Sequence, residues 1–266
     1  MATGAGVVKG TAGGTARLVY PRAVPRLAPG VLLLAVATPA PAPTLVPERP
    51  RRELATATSV YRPGPGDVAT PRGLPPIGRW MLYGNLQPAS WLGVPYLGKA
   101  MREPINLILV DTVSTSGQEA RERLVAALAA AGFPARGGHS SGYRGFIGDA
   151  TYPQLPEGRG QAFSDRPSDN ENDHGRIFGP HRIPGGWLFV GAVSREKVVH
   201  DAKVGHGFVS FNRARDDFVL GLQRAGAFRA VMRVKLGNAV PAGSELTTGD
   251  HDGYAVVLRA KPQARP

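Results

Sequence analysis

Four histidines in a short polar stretch are the residues of this sequence best suited to chemistry. His174, His181, His200 and His206 lie within 33 residues of one another. Two or three imidazoles together with an aspartate such as Asp173 form a ligand set that zinc and related ions accept. We therefore treat the four histidines as candidate metal ligands, although their spacing matches no compact signature such as H-E-x-x-H.

Arginines close to two of these histidines support a second interpretation. His174 and Arg176 come just before a predicted strand, whereas His206 precedes a predicted helix that carries Arg215 near its start. Guanidinium groups and helix N–H groups bind phosphate or carboxylate, and a neutral imidazole can serve as acid or base. We expect these four residues to hold an anionic or polar ligand. A structural alternative for Arg215 is an ion pair with the neighbouring Asp216.

Composition and motifs argue against several other classes of chemistry. The chain of 266 residues has no cysteine, which excludes disulfides, thiol catalysis and thiolate metal sites. Ser140 and Ser141 lie outside any G-x-S-x-G elbow, and the sequence has neither a P-loop lysine nor a dinucleotide-binding glycine motif. The net charge of +12 favours anionic partners. Its arginines are scattered, however, and without an RNA-binding motif or a basic helix we expect no nucleic-acid partner.

Two similar helical segments are expected to position these residues. Residues 120–132 and 214–226 share an Ala-Arg-acid start, matching apolar positions and a closing Ala-Gly pair. Each lies downstream of an apolar run, residues 105–110 and 187–192, that is typical of a buried strand. Ser116-Gly-Gln-Glu119 predicts a capping box for the first helix, and Asn212 is the predicted N-cap of the second.

The C-terminal part of the sequence predicts further strands. Residues 231–236 read as a strand, and residues 245–248 and 254–258 read as a hairpin with Asp252-Gly253 at its turn. Two helices are too few to cover both faces of a wide parallel sheet. We therefore predict an α+β fold over residues 80–262: a two-layer sandwich with a mixed or antiparallel sheet and two pseudo-repeated strand–helix units.

Residues 1–79 are rich in Pro, Ala and Arg and read as an extension of this domain. The apolar run 31–37, with arginines before it and Ala40-Pro-Ala42 after it, resembles a signal peptide with its cleavage site. The run is shorter than the roughly 20 apolar residues that a transmembrane helix needs, so no transmembrane helix is expected. The pattern predicts export to the periplasm or beyond. A disordered extension of a cytoplasmic protein is the alternative.

A series of motifs between residues 100 and 260 resembles the LssY C-terminal domain family. The series comprises residues 103–110, 131–133, Asp173-His-Gly-Arg176, 187–194, His206, 214–216 and 252–258. In that family the domain often follows membrane segments or lipid-phosphatase-like domains, and its own activity is not established. The resemblance implies an envelope-associated protein, with a membrane-associated partner or an anionic small molecule as its ligand.

Three functions follow from these observations as hypotheses. The first is an envelope-associated binding or accessory domain for an anionic or polar ligand. The alternative is a metal-assisted hydrolase that acts on a phosphate ester, with the histidines as ligands or as acid and base. A protein-interaction module is the third. The sequence leaves open whether the protein is an enzyme, and it identifies no cofactor.

Overall fold

Most regular structure of the protein is β-strand, and the two longest strands are Asn172–Ile183 and Gly186–His200. A computed structural model of the protein describes residues 61–200 and 204–262. The signal-like run and the cleavage-like Ala40-Pro-Ala42 lie outside the described residues. The elements are β1 Val68–Ala69, β2 Ile77–Gly78, β3 Ala100–Met101, β4 Leu107–Asp111, α1 Gly117–Ala130, β5 Ala135–Arg136, β6 Arg144–Ile147, β7 Ala150–Leu155, β8 Ala162–Ser164, β9 Asn172–Ile183, β10 Gly186–His200, β11 Val204–Ser210, α2 Phe211–Arg224, β12 Phe228–Lys235, β13 Leu246–Thr247 and β14 Tyr254–Ala260.

One large, curled sheet contains most of these strands. Its main path runs β1-β2-β6-β7-β9-β10-β4-β14-β12, with β11 paired to β10, and β8 paired to both β9 and β5. Neighbours are antiparallel except β4 and β14. Of the described residues 42% are in strands and 14% in helices, and the main sheet is a half-barrel, so the fold is mostly β. The predicted α+β two-layer sandwich is therefore wrong, because segments that looked like loop, including the polar stretch before residue 183, form additional strands.

Both helices cover one face of this sheet. Leu124 and Leu128 of α1 share a buried core with Phe218 and Leu222 of α2, and the Phe133 and Phe218 rings stack with centroids 3.8 Å apart. The opposite face buries a second core that includes residues from the segment before β4, such as Ile77 and Met81. The sheet thus already includes strands, β1 and β2, that precede residue 80.

The predicted N-cap of α1 is confirmed, and the predicted N-cap of α2 is wrong. The Ser116 hydroxyl accepts a hydrogen bond from the Glu119 N–H at 3.1 Å, as the capping box requires. The N-cap of α2 is Ser210 rather than Asn212: its hydroxyl accepts from the Arg213 N–H at 2.8 Å and donates to the Asp250 carboxylate at 2.5 Å. Asn212 lies within the first turn of the helix.

Two further predictions about topology are wrong. The strand that includes residues 187–192 does not lead into α2, because β11 intervenes, so the two strand–helix units are not equivalent. The expected hairpin at residues 245–258 does not form. Instead β13 pairs in parallel with β3, and β14 lies between β4 and β12. Long-range pairing overrides the local turn signal.

No helix among the described residues is long and apolar enough to cross a membrane. The expectation of no transmembrane helix holds for this part of the chain.

Candidate functional site

The register of three strands brings polar residues to one face of the sheet. His174 and Arg176 are two residues apart on β9, so they point to the same side. Glu196 of β10 lies opposite Asn172 on β9 and opposite Phe208 on β11. Glu196 is therefore the diagonal neighbour of His174 on one strand and of His206 on the other, a separation that long side chains bridge.

A loop supplies a third histidine to this group. His139 follows β5, and its N–H donates to the Gly160 carbonyl at 2.9 Å. Gly138 before it has φ +89°, and a side chain there would collide with the Ser168 hydroxyl, so this tight turn requires glycine. The turn stacks the His139 ring on the His174 ring, with centroids 5.0 Å apart.

These residues line a cavity of about 250 Å³. Trp91, Leu92 and Gly93 form one side of it, and His206 is joined to this segment because its carbonyl accepts from the Val94 N–H at 2.8 Å. The remaining lining residues are Glu103, Gly138, His139, Ser140, His174, Arg176 and Glu196. The cavity thus combines three imidazoles, two carboxylates and one guanidinium.

Three imidazole nitrogens surround one carboxylate oxygen at the centre of the site. Glu196 Oε1 lies 3.2 Å from His206 Nδ1, 3.6 Å from His174 Nδ1 and 4.0 Å from His139 Nδ1. Ligand atoms around a tetrahedral zinc ion, each bonded at about 2.1 Å, are separated by about 3.4 Å. The candidate ligand atoms of His139, His174 and Glu196 all lie within 4.8 Å of one another. These three residues are therefore candidate ligands of one metal ion.

Neighbouring polar groups orient two of these side chains. The Asn172 amide donates to Glu196 Oε1 at 3.3 Å, and the Ser194 hydroxyl lies 3.4 Å from His174 Nε2. His174 Nδ1 and His206 Nδ1, both facing Glu196, are buried without a hydrogen-bond partner among the described residues. His174 thus has the pattern common among metal-binding histidines, with one ring nitrogen beside a protein group and the other free for an ion.

Arg176 and Glu103 occupy the same cavity beside the histidine group. The Arg176 guanidinium donates through Nη2 to the Ser140 carbonyl and hydroxyl, both at 3.0 Å, and stacks over the Tyr143 ring at 4.9 Å. Glu103 is buried, with 5% of its surface exposed. Burial raises the pKa of the Glu103 carboxyl, and the Arg176 charge partly offsets this increase.

Burial also dominates the protonation of the central residues. Burial, reinforced by the Arg176 and His206 charges, lowers the pKa of His139 to about 4. The pKa of His174 is lowered well below its ordinary value, first by burial and then by Arg176. Burial raises the pKa of Glu196, and the His206 charge opposes that shift. Both His139 and His174 are thus neutral at pH 7, the form in which an imidazole binds metals.

The structure brings together only part of the predicted sites. His174, Arg176 and His206 of the predicted ligand site share the cavity, but Arg215 does not. Its guanidinium is bonded to Asp216 at 3.0 Å and to Asp252 at 2.9 Å, so the structural alternative for Arg215 is confirmed.

Two of the predicted metal ligands lie elsewhere. His181 Nδ1 is 2.8 Å from the Tyr152 hydroxyl, and His200 is exposed at the end of β10. Sequence reasoning missed His139, Glu196 and Glu103 as site residues. The hairpin of β9 and β10 around Pro184-Gly185 was the signal that could have paired Glu196 with the His174 region.

No protein-family model, curated protein or solved structure matches this chain. The resemblance to the LssY C-terminal domain family, the envelope association and the export of the protein accordingly stay predictions, and the case for function rests on the geometry of the cavity.

Proposed function

We propose that this protein is a metal-dependent hydrolase that acts on a phosphate ester. The observation that carries the proposal is the convergence of three histidine Nδ1 atoms on Glu196 Oε1, at 3.2, 3.6 and 4.0 Å. His139, His174 and Glu196 would hold a divalent ion such as zinc, and His206, whose Nδ1 lies 3.2 Å from Glu196 Oε1, would orient that carboxylate. Such an ion supplies Lewis-acid chemistry: it polarises a phosphoryl oxygen and lowers the pKa of water.

The ligand chemistry supports a metal more than a hydrogen-bonded cluster. Free ring nitrogens on His174 and His206 are buried beside the carboxylate. A buried polar group without a partner costs about 1–3 kcal/mol, and a bound cation would remove this cost for His174. One carboxylate and neutral imidazoles are also the donor set that zinc prefers when cysteine is absent.

Two other residues of the cavity have suitable roles in hydrolysis. Arg176 would bind the phosphoryl oxygens, because its Nε and Nη2 are held by Ser140 and its remaining amino group makes no hydrogen bond within residues 61–200 and 204–262. Glu103, buried in the same cavity, would donate a proton to the leaving oxygen. Water adds to phosphorus as the P–O bond to the alcohol breaks; the alkoxide takes the Glu103 proton, and the proton released by water restores Glu103, which leaves the free alcohol and phosphate.

A metal-free pocket for an anion, the first of the functions expected from the sequence, has less support. One of its four residues, Arg215, forms ion pairs outside the cavity. The Glu196 carboxylate would repel an anion at the centre of the cavity unless a cation lay between them. The same carboxylate favours a bound metal ion.

Zinc titration of the purified protein by isothermal calorimetry tests the metal site. We expect one zinc ion per chain. His139→Ala and Glu196→Gln should each weaken binding on the order of 100-fold or more, because loss of even an indirect partner of a metal site costs 10- to 100-fold. His181→Ala, which removes a histidine outside the cavity, is the matched control and should bind zinc like the wild type.

Hydrolysis of p-nitrophenyl phosphate tests the reaction. Release of p-nitrophenol should require the metal and stop with a chelator. Glu103→Gln should retain zinc but lose on the order of 10² to 10⁴ in kcat for phosphate release from an alkyl phosphate, whose alkoxide leaving group needs a proton. Its loss with p-nitrophenyl phosphate should be much smaller, because p-nitrophenolate leaves without a proton. Zinc binding that both ligand variants leave unchanged would refute the metal site. Turnover that survives complete metal removal would refute the proposed reaction.

A further inference from the structure

One segment beside the cavity has exposed apolar side chains and a leucine with positive φ. Residues 91–101, which we name the rim hairpin, fold back on themselves: the Trp91 N–H donates to the Met101 carbonyl at 2.8 Å. Its two-residue turn is Leu97-Gly98, between the paired residues Tyr96 and Lys99. Both turn residues have positive φ, +52° for Leu97 and +74° for Gly98. Such turns favour Asn, Asp or Gly at both positions.

Leu97 is therefore unfavourable in two ways. A left-handed backbone strains a side chain larger than that of glycine, and 82% of the Leu97 surface is exposed to solvent. Leu92 and Val94 of the same hairpin are also exposed, at 66% and 41%. They belong to the seven large apolar residues that are exposed among the described residues. Three of these seven thus lie within six consecutive residues at the edge of the cavity.

Packing beneath the rim hairpin keeps this apolar edge in place. The Trp91 and Tyr96 rings pack edge-on against Phe208, with centroids at 6.2 and 5.1 Å. Phe208 in turn contacts Phe211 at the start of α2. The aromatic groups are thus used for packing inside, while Leu92, Val94 and Leu97 point to solvent. The exposed leucines are not a by-product of a loosely packed loop.

We propose that the ligand of this cavity is an amphiphile, a phosphate monoester of a long alkyl alcohol, whose apolar chain lies along the rim hairpin. This inference rests on the proposed function, which places the phosphate at the His139–His174–Glu196 group. Leu92 lines the cavity itself. Leu97 lies four residues beyond Gly93, at most about 14 Å along an extended chain. An octyl chain is of comparable length, so in this proposal one alkyl chain that leaves the cavity beside Leu92 reaches Leu97.

Affinity for non-hydrolysable alkyl phosphonates tests the inference without requiring turnover. The full chain with one equivalent of zinc is titrated with ethylphosphonate and with octylphosphonate, below the concentration at which the latter forms micelles. If half of the six additional methylenes are buried, octylphosphonate binds on the order of 50-fold more tightly. Equal affinities overturn the inference, and so does the absence of binding by either compound.

Variants of the rim hairpin test where the alkyl chain lies. The double variant Leu92→Ser, Leu97→Asn should reduce the octyl-to-ethyl affinity ratio to below about 10, since each change removes apolar contact area. Asn tolerates positive φ, so Leu97→Asn alone should raise Tm by about 2 °C while it lowers the ratio. Leu220→Asn on α2, a leucine that is 49% exposed elsewhere, is the control and should keep the wild-type ratio. An unchanged ratio in the double variant, or an equal loss in the Leu220 control, overturns the assignment.

The two proposals fail in distinguishable ways. Chain-length discrimination without any phosphate release would overturn the hydrolase and retain the amphiphile. Metal-dependent phosphate release with no preference for the longer chain would overturn the amphiphile and retain the hydrolase.

Discussion

His251 gives the protein a specific sensitivity to acid. It is 5% exposed, and its Nε2 lies 2.8 Å from Asn238 Oδ1. Because the Asn238 amide nitrogen donates to the Arg79 and Ile105 carbonyls, its oxygen must accept, and His251 is the donor through Nε2–H. The other ring nitrogen, Nδ1, is buried without a partner in the described part of the chain.

The magnitude follows from the pKa of His251 in the folded protein. Burial lowers the pKa of His251 from 6.5 to about 4; Asp252 and Asp250 oppose the shift, and Arg215 and Arg233 add to it. Above pH 6.5 neither the folded nor the unfolded state binds the proton. Between pH 6.5 and 4 only the unfolded state does, so the free energy of unfolding falls as the pH falls. At about 1.4 kcal/mol per unit of pKa difference, the loss is about 3 kcal/mol.

Urea denaturation of the wild type and of His251→Gln, both with a chelator, measures this loss. Glutamine can keep the donor to Asn238 but does not titrate. Between about pH 7.5 and pH 4, the wild type should lose about 3 kcal/mol more than the variant. The other buried histidines titrate in both proteins and cancel in the comparison. His200→Gln, at an exposed position, is the control and should follow the wild type. Parallel stability profiles for wild type and His251→Gln would refute the reasoning.

Two further predictions concern residues that hold the fold. Arg215→Met should lower the free energy of unfolding, measured by urea denaturation, by about 2–4 kcal/mol, because it leaves Asp252 paired with Arg233 alone. The zinc stoichiometry measured by calorimetry should not change. Loss of zinc binding without loss of stability would instead place Arg215 in the site. Asn106→Ala should lower the free energy of unfolding by about 2–3 kcal/mol in the same denaturation assay. The Asn106 side chain donates to the Val193 carbonyl at 2.9 Å and accepts from the Val193 N–H at 3.0 Å, and both bonds are buried. A variant as stable as the wild type would show that water replaces the amide.

Local patterns in the sequence were sufficient for the helices but not for the sheet. The spacing of Leu124 and Leu128, and of Phe218 and Leu222, predicted faces that the structure buries in one core. Helical periodicity depends on residues within a few positions of one another, so sequence alone identifies it, whereas only one of the two predicted N-caps is correct. The order of strands depends on pairing across up to about 150 residues, as between β4 and β14, and no local pattern specifies it.

The polar stretch around His174 shows why hydropathy failed at the site itself. Asn172, Asp173, His174 and Arg176 are each at most 3% exposed, although their sequence is typical of a loop. His174 and Arg176 line a polar cavity, and Asp173 pairs with Arg195. Burial there does not require apolar side chains, because polar partners are present. His139 and Glu103 were beyond reach for a different reason. They lie far from His174 along the chain, and only the folded sheet brings them to it.

Among the polar residues predicted as site residues, the hydrogen bonds of each side chain distinguish a structural role from a functional one. Arg215, although buried, is fully engaged by Asp216, Asp252 and the Tyr254 carbonyl. In contrast, His174 and His206 each present an unpaired Nδ1 to Glu196. Native proteins rarely keep such buried, unsatisfied groups together, because each one destabilises the fold by about 1–3 kcal/mol. The proposed metal site rests on this combination of unpaired imidazole nitrogens and a carboxylate in a 250 Å³ cavity.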